Sequence, residues 1–196
     1  MESNAGAAGV DGQSVERFAA RVEMYVEELS TGLKRGSYRP QPVRGVEIPK
    51  GGGKCRPLGI AVVKDRIVQT ALKFVLEPIF EWELLKMSYG FGPGLGCKEA
   101  LREVEGLLRG GYTFVVDGDL RSYFDTIPHA RLLERLERKV SDGRVLELIE
   151  GFLKQDIVKE MKRWTPAGGT PQGAVISPLL ANIYLHPLDC HMEQKG

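Results

Sequence analysis

The stretch from Tyr112 to Pro128, Y-T-F-V-V-D-G-D-L-R-S-Y-F-D-T-I-P, constrains the fold more tightly than any other part of the chain. Tyr112 to Val116 is an unbroken run of aromatic and β-branched residues set off by Gly110-Gly111, and it predicts a short buried strand. Two carboxylates, Asp117 and Asp119, follow with only Gly118 between them. Residues two apart along a strand share a face, so a strand continuing through this point delivers both acids together. An apolar strand ending in acids presents a hard-cation site from a rigid support. Asp and Gly are also ordinary turn residues, and a plain strand-end turn reads from the same letters.

A chain of 196 residues has room for one substantial core or two small lobes. Its 42% apolar and 27% charged content is that of a soluble globular protein. No apolar run reaches membrane-span length, and the first residues lack the basic-then-apolar order of a signal peptide, so the expected location is cytoplasmic with no membrane partner. Cys55, Cys97 and Cys190 are far apart and lack metal-ligand spacing, which predicts reduced thiols. Net charge is only +1, but between residues 34 and 73 ten cations face two acids, leaving the rest of the chain at an excess of seven negative charges. A basic lobe on an acidic body meets polyanions with its basic side. Arg35, Arg39 and Lys73 belong to that lobe and are its expected polyanion contacts, the RNA-binding residues where that polyanion is RNA.

Ser14 is placed to cap a helix in which Val15, Phe18, Val22, Val26, Leu29 and Leu33 recur at three and four, with Gly36 as its stop. From Val43 to Ile60 two extended runs flank Gly51-Gly52-Gly53, a β-hairpin rich in Lys and Arg. Glycines allow close backbone approach and the cations suit phosphate oxygens, although an exposed basic hairpin fits equally and no Walker-type string is present. Helices are predicted over Lys64–Glu81, over 97–109, after Pro128, and from Arg144 to Leu153. Residues 88–96 are too glycine-rich for an element, and 157–164 read as strand. Ser177-Pro178 opens a last helix, which Pro187 should kink or end early.

Six strings in this order resemble the reverse transcriptases of group II introns, the intron-encoded maturase family: N-A-G-A-A-G-V-D-G; Y-R-P-Q-P-V-R-G-V-E-I-P-K-G-G-G-K-C-R-P-L-G-I; V-K-D-R-I-V-Q; S-Y-G-F-G-P-G-L-G-C; V-V-D-G-D-L-R-S-Y-F-D; and G-T-P-Q-G-A-V-I-S-P-L-L-A-N-I-Y-L. The resemblance implies an α+β right-hand polymerase: fingers over residues 1–110, a partial, truncated palm over 111–196, and no thumb. Position by position, Asp119 resembles the first catalytic, Mg²⁺-binding carboxylate. Arg44, Lys50 and Arg56 resemble the cationic clamp on the incoming deoxynucleoside triphosphate. Phe124 resembles the aromatic gate that excludes a 2′-hydroxyl, and Gln172 the residue beside the nucleotide pocket. Asp117 and Asp125 carry structural roles.

Departures from the pattern also matter. No Tyr-Ala-Asp-Asp string is present to complete a two-Mg²⁺ site, and Gly92 and Leu95 stand where the family carries two arginines. The implied reaction is deoxynucleotidyl transfer to a primer on an RNA template, with the chain expected to be a fragment inactive by itself. The alternative is an RNA-binding maturase module that assists splicing of group II intron RNA without polymerising.

Overall fold

A computed structural model of the chain describes residues 6–50, 52–92 and 94–195, with the side chains of Lys50, Lys54 and Arg56 outside that set. The first amphipathic stretch forms two helices rather than one, α1 (Val15–Ala19) and α2 (Val22–Lys34). Ser14 caps α1 by accepting from the Arg17 N–H at 3.3 Å. The break falls at Arg21, whose backbone leaves the helical region. It lets Phe18 stack on Tyr25 at 4.9 Å between ring centroids, while Val22 and Val26 stay exposed.

The hairpin forms as β1 (Val43–Lys50) and β2 (Lys54–Ile60), paired from Arg44↔Ile60 to Lys50↔Lys54. The stretch 157–164 is itself a hairpin, β3 (Ile157–Lys159) and β4 (Lys162–Trp164). It joins the first through the parallel pairs Val43↔Ile157 and Arg44↔Val158, giving a mixed sheet in the order β2-β1-β3-β4. Both strand prolines respect this order. Pro57 lies on the edge strand β2, and Pro49 lies beyond the short pairing with β3, where β1 is itself an edge.

The helices α3 (Val63–Glu81), α6 (His129–Glu137), α7 (Gly143–Leu153) and α8 (Ser177–Lys195) enclose the main core. Leu72, Leu76 and Phe80 from α3 meet Leu132 and Leu136, Ile149 and Phe152, and Leu179, Leu180 and Ile183. Each such side chain contributes roughly 1.5–3 kcal/mol when fully buried. Val15, Phe18 and Val63 form a smaller cluster under α1. A buried polar tie crosses the structure at Asp65, which is 1% exposed. Its carboxylate accepts from Tyr38 Oη at 2.5 Å, Gln41 N at 2.9 Å and Gln155 Nε2 at 2.7 Å.

One expectation fails. Residues 112–120 form no strand and are not buried: Phe114 is 97% exposed and Val116 96%. β-propensity is a preference for a paired, half-covered surface, and among the described residues no strand lies beside this segment. The amphipathic helix before it, α4 (Cys97–Arg109), forms as expected but buries no residue. Pro187 does not end α8, which runs on to Lys195. The buried face upstream of it, Leu179, Leu180 and Ile183, holds the helix on the core, and the His186–Cys190 contact at 3.3 Å spans the proline turn.

Candidate active-site cleft

The loop Thr165–Gly173 is the hub of the site because three backbone hydrogen bonds and one from a histidine ring stitch it to distant parts of the chain. Gly169 N donates to Ile127 O at 2.8 Å and Thr170 N to Phe124 O at 2.7 Å. The His129 ring donates from Nε2 to Gly169 O at 2.7 Å. On the other side, Gly59 N of β2 donates to Gln172 O at 2.7 Å. The fit is close enough to require glycine at two places. A Cβ on Gly169 (φ +86°) would lie 2.8 Å from the Asp125 backbone, and one on Gly173 (φ +100°) 2.7 Å from Leu58 Cδ1. The G-T-P-Q-G string is therefore a docking device as well as a carrier of Gln172.

Between this loop and the sheet lies a cleft of about 600 Å³, lined by Val46, Leu58, Ile157, Trp164, Pro171 and Gln172 among others. Gln172 is held in it, its Nε2 donating to both Asp125 carboxylate oxygens at 3.0 and 3.1 Å. Thr170 also lines the cleft; its hydroxyl is buried and has no partner among the described residues. Sequence reasoning missed Thr170 and Trp164. Thr170 stands in the T-P-Q-G string, whereas Trp164 carried no signal at all.

Phe124 sits on a one-turn helix, α5 (Tyr123–Thr126), entered through Ser122 at φ +50°. Its ring is half-buried against the core and meets Tyr123 and Phe91 edge-on, at 5.8 and 6.4 Å between centroids. Tyr123 Oη donates to Ala181 O at 2.6 Å, and burial pushes that phenol above its ordinary pKa. The loop carrying Gly92 and Leu95 is tied to α8 by Asn182 Nδ2 donating to Gly90 O at 2.7 Å.

The three expected clamp residues do not fall at one point of the hairpin. Lys50 pairs with Lys54 at its tip, and Arg56 pairs with Ile48, two residues away; the side chains of Lys50 and Arg56 lie outside the described residues. Arg44 lies six residues along β1 from Lys50, about 20 Å at strand rise. It adjoins Gly45, whose partner Gly59 receives the loop. Arg44 is half-buried, with Nε unpartnered among the described residues; burial, with a smaller contribution from the Arg44 charge, holds the nearby Arg66 below its ordinary pKa.

Asp119 lies exposed on the irregular 112–120 segment, as does Asp117. Among the described residues no three Asp, Glu, His or Cys side chains are grouped as a metal site. Asp125, the next acid along, is engaged with Gln172. This donor set does not fit a two-ion centre, which needs several carboxylates at close quarters.

Of the expected RNA contacts, Arg35 closes α2 and Arg39 follows the turn, donating to Gly36 O and Tyr38 O at 2.8 and 2.7 Å. Lys73 is midway along α3 and paired with Glu77 at 3.2 Å. Acids folded from elsewhere offset part of the basic excess, as in Lys64–Glu28 at 2.7 Å.

The family described as Reverse transcriptase (RNA-dependent DNA polymerase) matches residues 48–196. Protein YkfC of Escherichia coli (strain K12) is 39% identical over 193 residues, covering 95% of this chain and 50% of YkfC. The group II intron-encoded protein LtrA of Lactococcus lactis subsp. cremoris is 38% identical over 192 residues, covering 96% of this chain and 31% of LtrA. The chain thus spans half the length of the first relative and under a third of the second. A solved partial Cas6-RT-Cas1–Cas2 complex contains a chain that matches 89% of this one at a TM-score of 0.58 and 30% identity, over 30% of its own length. Among the described residues no helix is long and apolar enough to cross a membrane. With a mixed α+β fold, the hairpin and the G-T-P-Q-G loop meeting at one cleft, and these relatives, the chain belongs to the reverse transcriptase family and is homologous to group II intron-encoded proteins.

Proposed function

We propose that this chain forms the nucleotide-entry region of an RNA-directed DNA polymerase, with fingers over residues 1–110 and the start of a right-hand palm over 111–196. The observation that carries this reading is the double docking of the Thr165–Gly173 loop, on Gly59 of the hairpin and on Phe124 of α5. It brings Gln172 and the base of the basic hairpin to one cleft and ties the loop behind it to the Phe124 carbonyl. In the reaction, the primer 3′-oxygen attacks the α-phosphorus of a deoxynucleoside triphosphate on an RNA template and pyrophosphate leaves.

This chain's own residues act in binding and orientation. Lys50 and Arg56, two register steps apart at the hairpin tip, neutralise the triphosphate, a planar guanidinium gripping two oxygens at once. Arg44 extends that positive field toward the loop. Asp125 fixes the Gln172 amide, so its remaining polar groups face the cleft without a rotamer cost on binding. Phe124, wedged between Tyr123 and Phe91, offers an aromatic edge against which the sugar packs and a 2′-hydroxyl is excluded. Asp119 is the acid we assign to the family's Mg²⁺ chemistry, but the donor set described here is incomplete.

A second reading is favoured by the ten cations between residues 34 and 73: an RNA-binding maturase module that grips group II intron RNA without polymerising. The two are separated by photolabelling with an azido-deoxynucleoside triphosphate in the presence of an RNA template–primer. The polymerase reading expects labelling of the peptides bearing Phe124 and Gln172, lost on Arg56→Ala, and no primer extension by the 196-residue chain alone. RNA binding without any labelling at those peptides selects the maturase reading.

A further inference from the structure

A second groove, of about 690 Å³, runs between the end of α3, α6 and the C-terminal half of α8. Its centre lies roughly 15 Å along the α8 axis from Ser177, the first residue of that helix, and it shares no lining residue with the cleft described above. Arg135, Arg138 and Lys139 enter it from α6 and the turn that follows. At spacings of three and four they form a single face, with neighbouring Cβ atoms about 5–6 Å apart.

These cations are under-neutralised. Lys139 pairs with Glu83 at 2.5 Å. Arg138 reaches only Glu134, at 3.5 Å, and that carboxylate is shared with Arg131 at 3.3 Å. Arg135 has no carboxylate partner among the described residues, and lies over the Tyr184 ring at 5.9 Å. On the opposite wall α8 contributes His186 and His191, while Asp189 is turned away to accept from Ser88 at 2.9 Å. A concave surface with spare guanidinium groups, whose one acid among the described lining residues is Glu83, is suited to phosphodiester oxygens.

We propose that this groove is a second RNA-backbone site, which grips structured RNA through phosphates, apart from the hairpin cleft that admits the triphosphate and from the basic lobe that carries the hairpin. The identity of the polyanion rests on the reverse transcriptase reading above; the groove itself does not. Such a site reads shape and charge rather than sequence, and its affinity falls steeply with salt.

The cysteines supply the test. Cys190, half-buried, lines the groove with its Sγ 3.3 Å from His186 Nε2, whereas Cys55 is exposed on β2 of the hairpin. Maleimide alkylation of the whole chain, with and without an RNA stem-loop, is read at each cysteine by mass spectrometry. RNA is expected to slow alkylation of Cys190, with the protection fading as salt rises from about 50 to 200 mM. Arg135→Gln with Arg138→Gln should abolish protection at Cys190 but not at Cys55, and should lower the salt slope of RNA binding by a little under 2, about two phosphate contacts.

Protection at Cys55 alone overturns the groove and leaves the hairpin reading standing. Protection at Cys190 alone supports the groove while removing the hairpin as an RNA surface. Protection at neither cysteine, Cys190 protection that survives the double substitution, or shielding of Cys190 by anionic phospholipid vesicles but not by RNA each overturns the proposal.

Discussion

Asp65 sits where a charge is hardest to keep. Burial pushes its carboxyl above the ordinary aspartate range, and the bonds from Tyr38, Gln41 and Gln155 pull the other way without cancelling that effect. With the folded pKa raised, the native state holds the proton longer than the unfolded chain does. The associated stability is fully present below the unfolded value near 3.8 and is lost as pH rises through the folded one. Asp65→Asn is therefore expected to destabilise the chain by about 1–3 kcal/mol, because one amide cannot accept all three donors. The deficit should shrink as pH rises over that window, as read by urea unfolding of both proteins. A deficit that grows instead would mean that the three donors outweigh burial. The sequence showed Asp65 only as a polar position in the V-K-D-R string. Its role as a tie was not legible, because Gln41 and Gln155 come from loops with no periodicity to place them.

At the scale of elements, α4 and α6 look alike in sequence and opposite in structure. Both are amphipathic, but Leu132 and Leu136 of α6 are fully buried, while Leu101, Val104, Leu107 and Leu108 of α4 remain exposed. Leu136→Ala should cost about 2–5 kcal/mol, and Leu107→Ala should stay within about 0.5 kcal/mol. Chemical denaturation of the two variants checks this; a comparable loss from Leu107→Ala would show that α4 packs in solution. Periodicity located the helices, and the glycine turn located the hairpin, because those signals are local. It could not show which apolar faces find a partner, so the run Tyr112–Val116 read as buried strand. Nor could it show that β3 pairs with β1, since parallel pairing is fixed by packing between segments more than a hundred residues apart. The family strings singled out Gln172 in the cleft and Phe124 behind its loop; the Asp125 bond that orients Gln172 emerged only from the fold.

Across the whole molecule, the apolar side chains left uncovered on Phe74, Trp82, Leu101, Phe114 and Val116 are the dominant liability. Exposed apolar surface of this kind goes with association. The folded chain is expected to bind an environment-sensitive apolar dye and to sediment faster as concentration rises, and Phe114→Lys with Val116→Lys should reduce both. Dye binding unchanged by those substitutions would place the sticky surface elsewhere. The parallel contact of β1 with β3 also has a consequence for how the chain is made. At roughly 5–20 residues per second, the ribosome needs about 5–20 s between finishing Ile60 and starting Ile157. For that interval the Val43–Arg44 end of β1 is open as well, lengthening an edge that β3 covers only there, and the whole side is a template for pairing with any passing strand. Arg44, Glu47 and Pro49 lie along that strand, so two charges and a missing N–H guard the nascent chain while it waits for its neighbour.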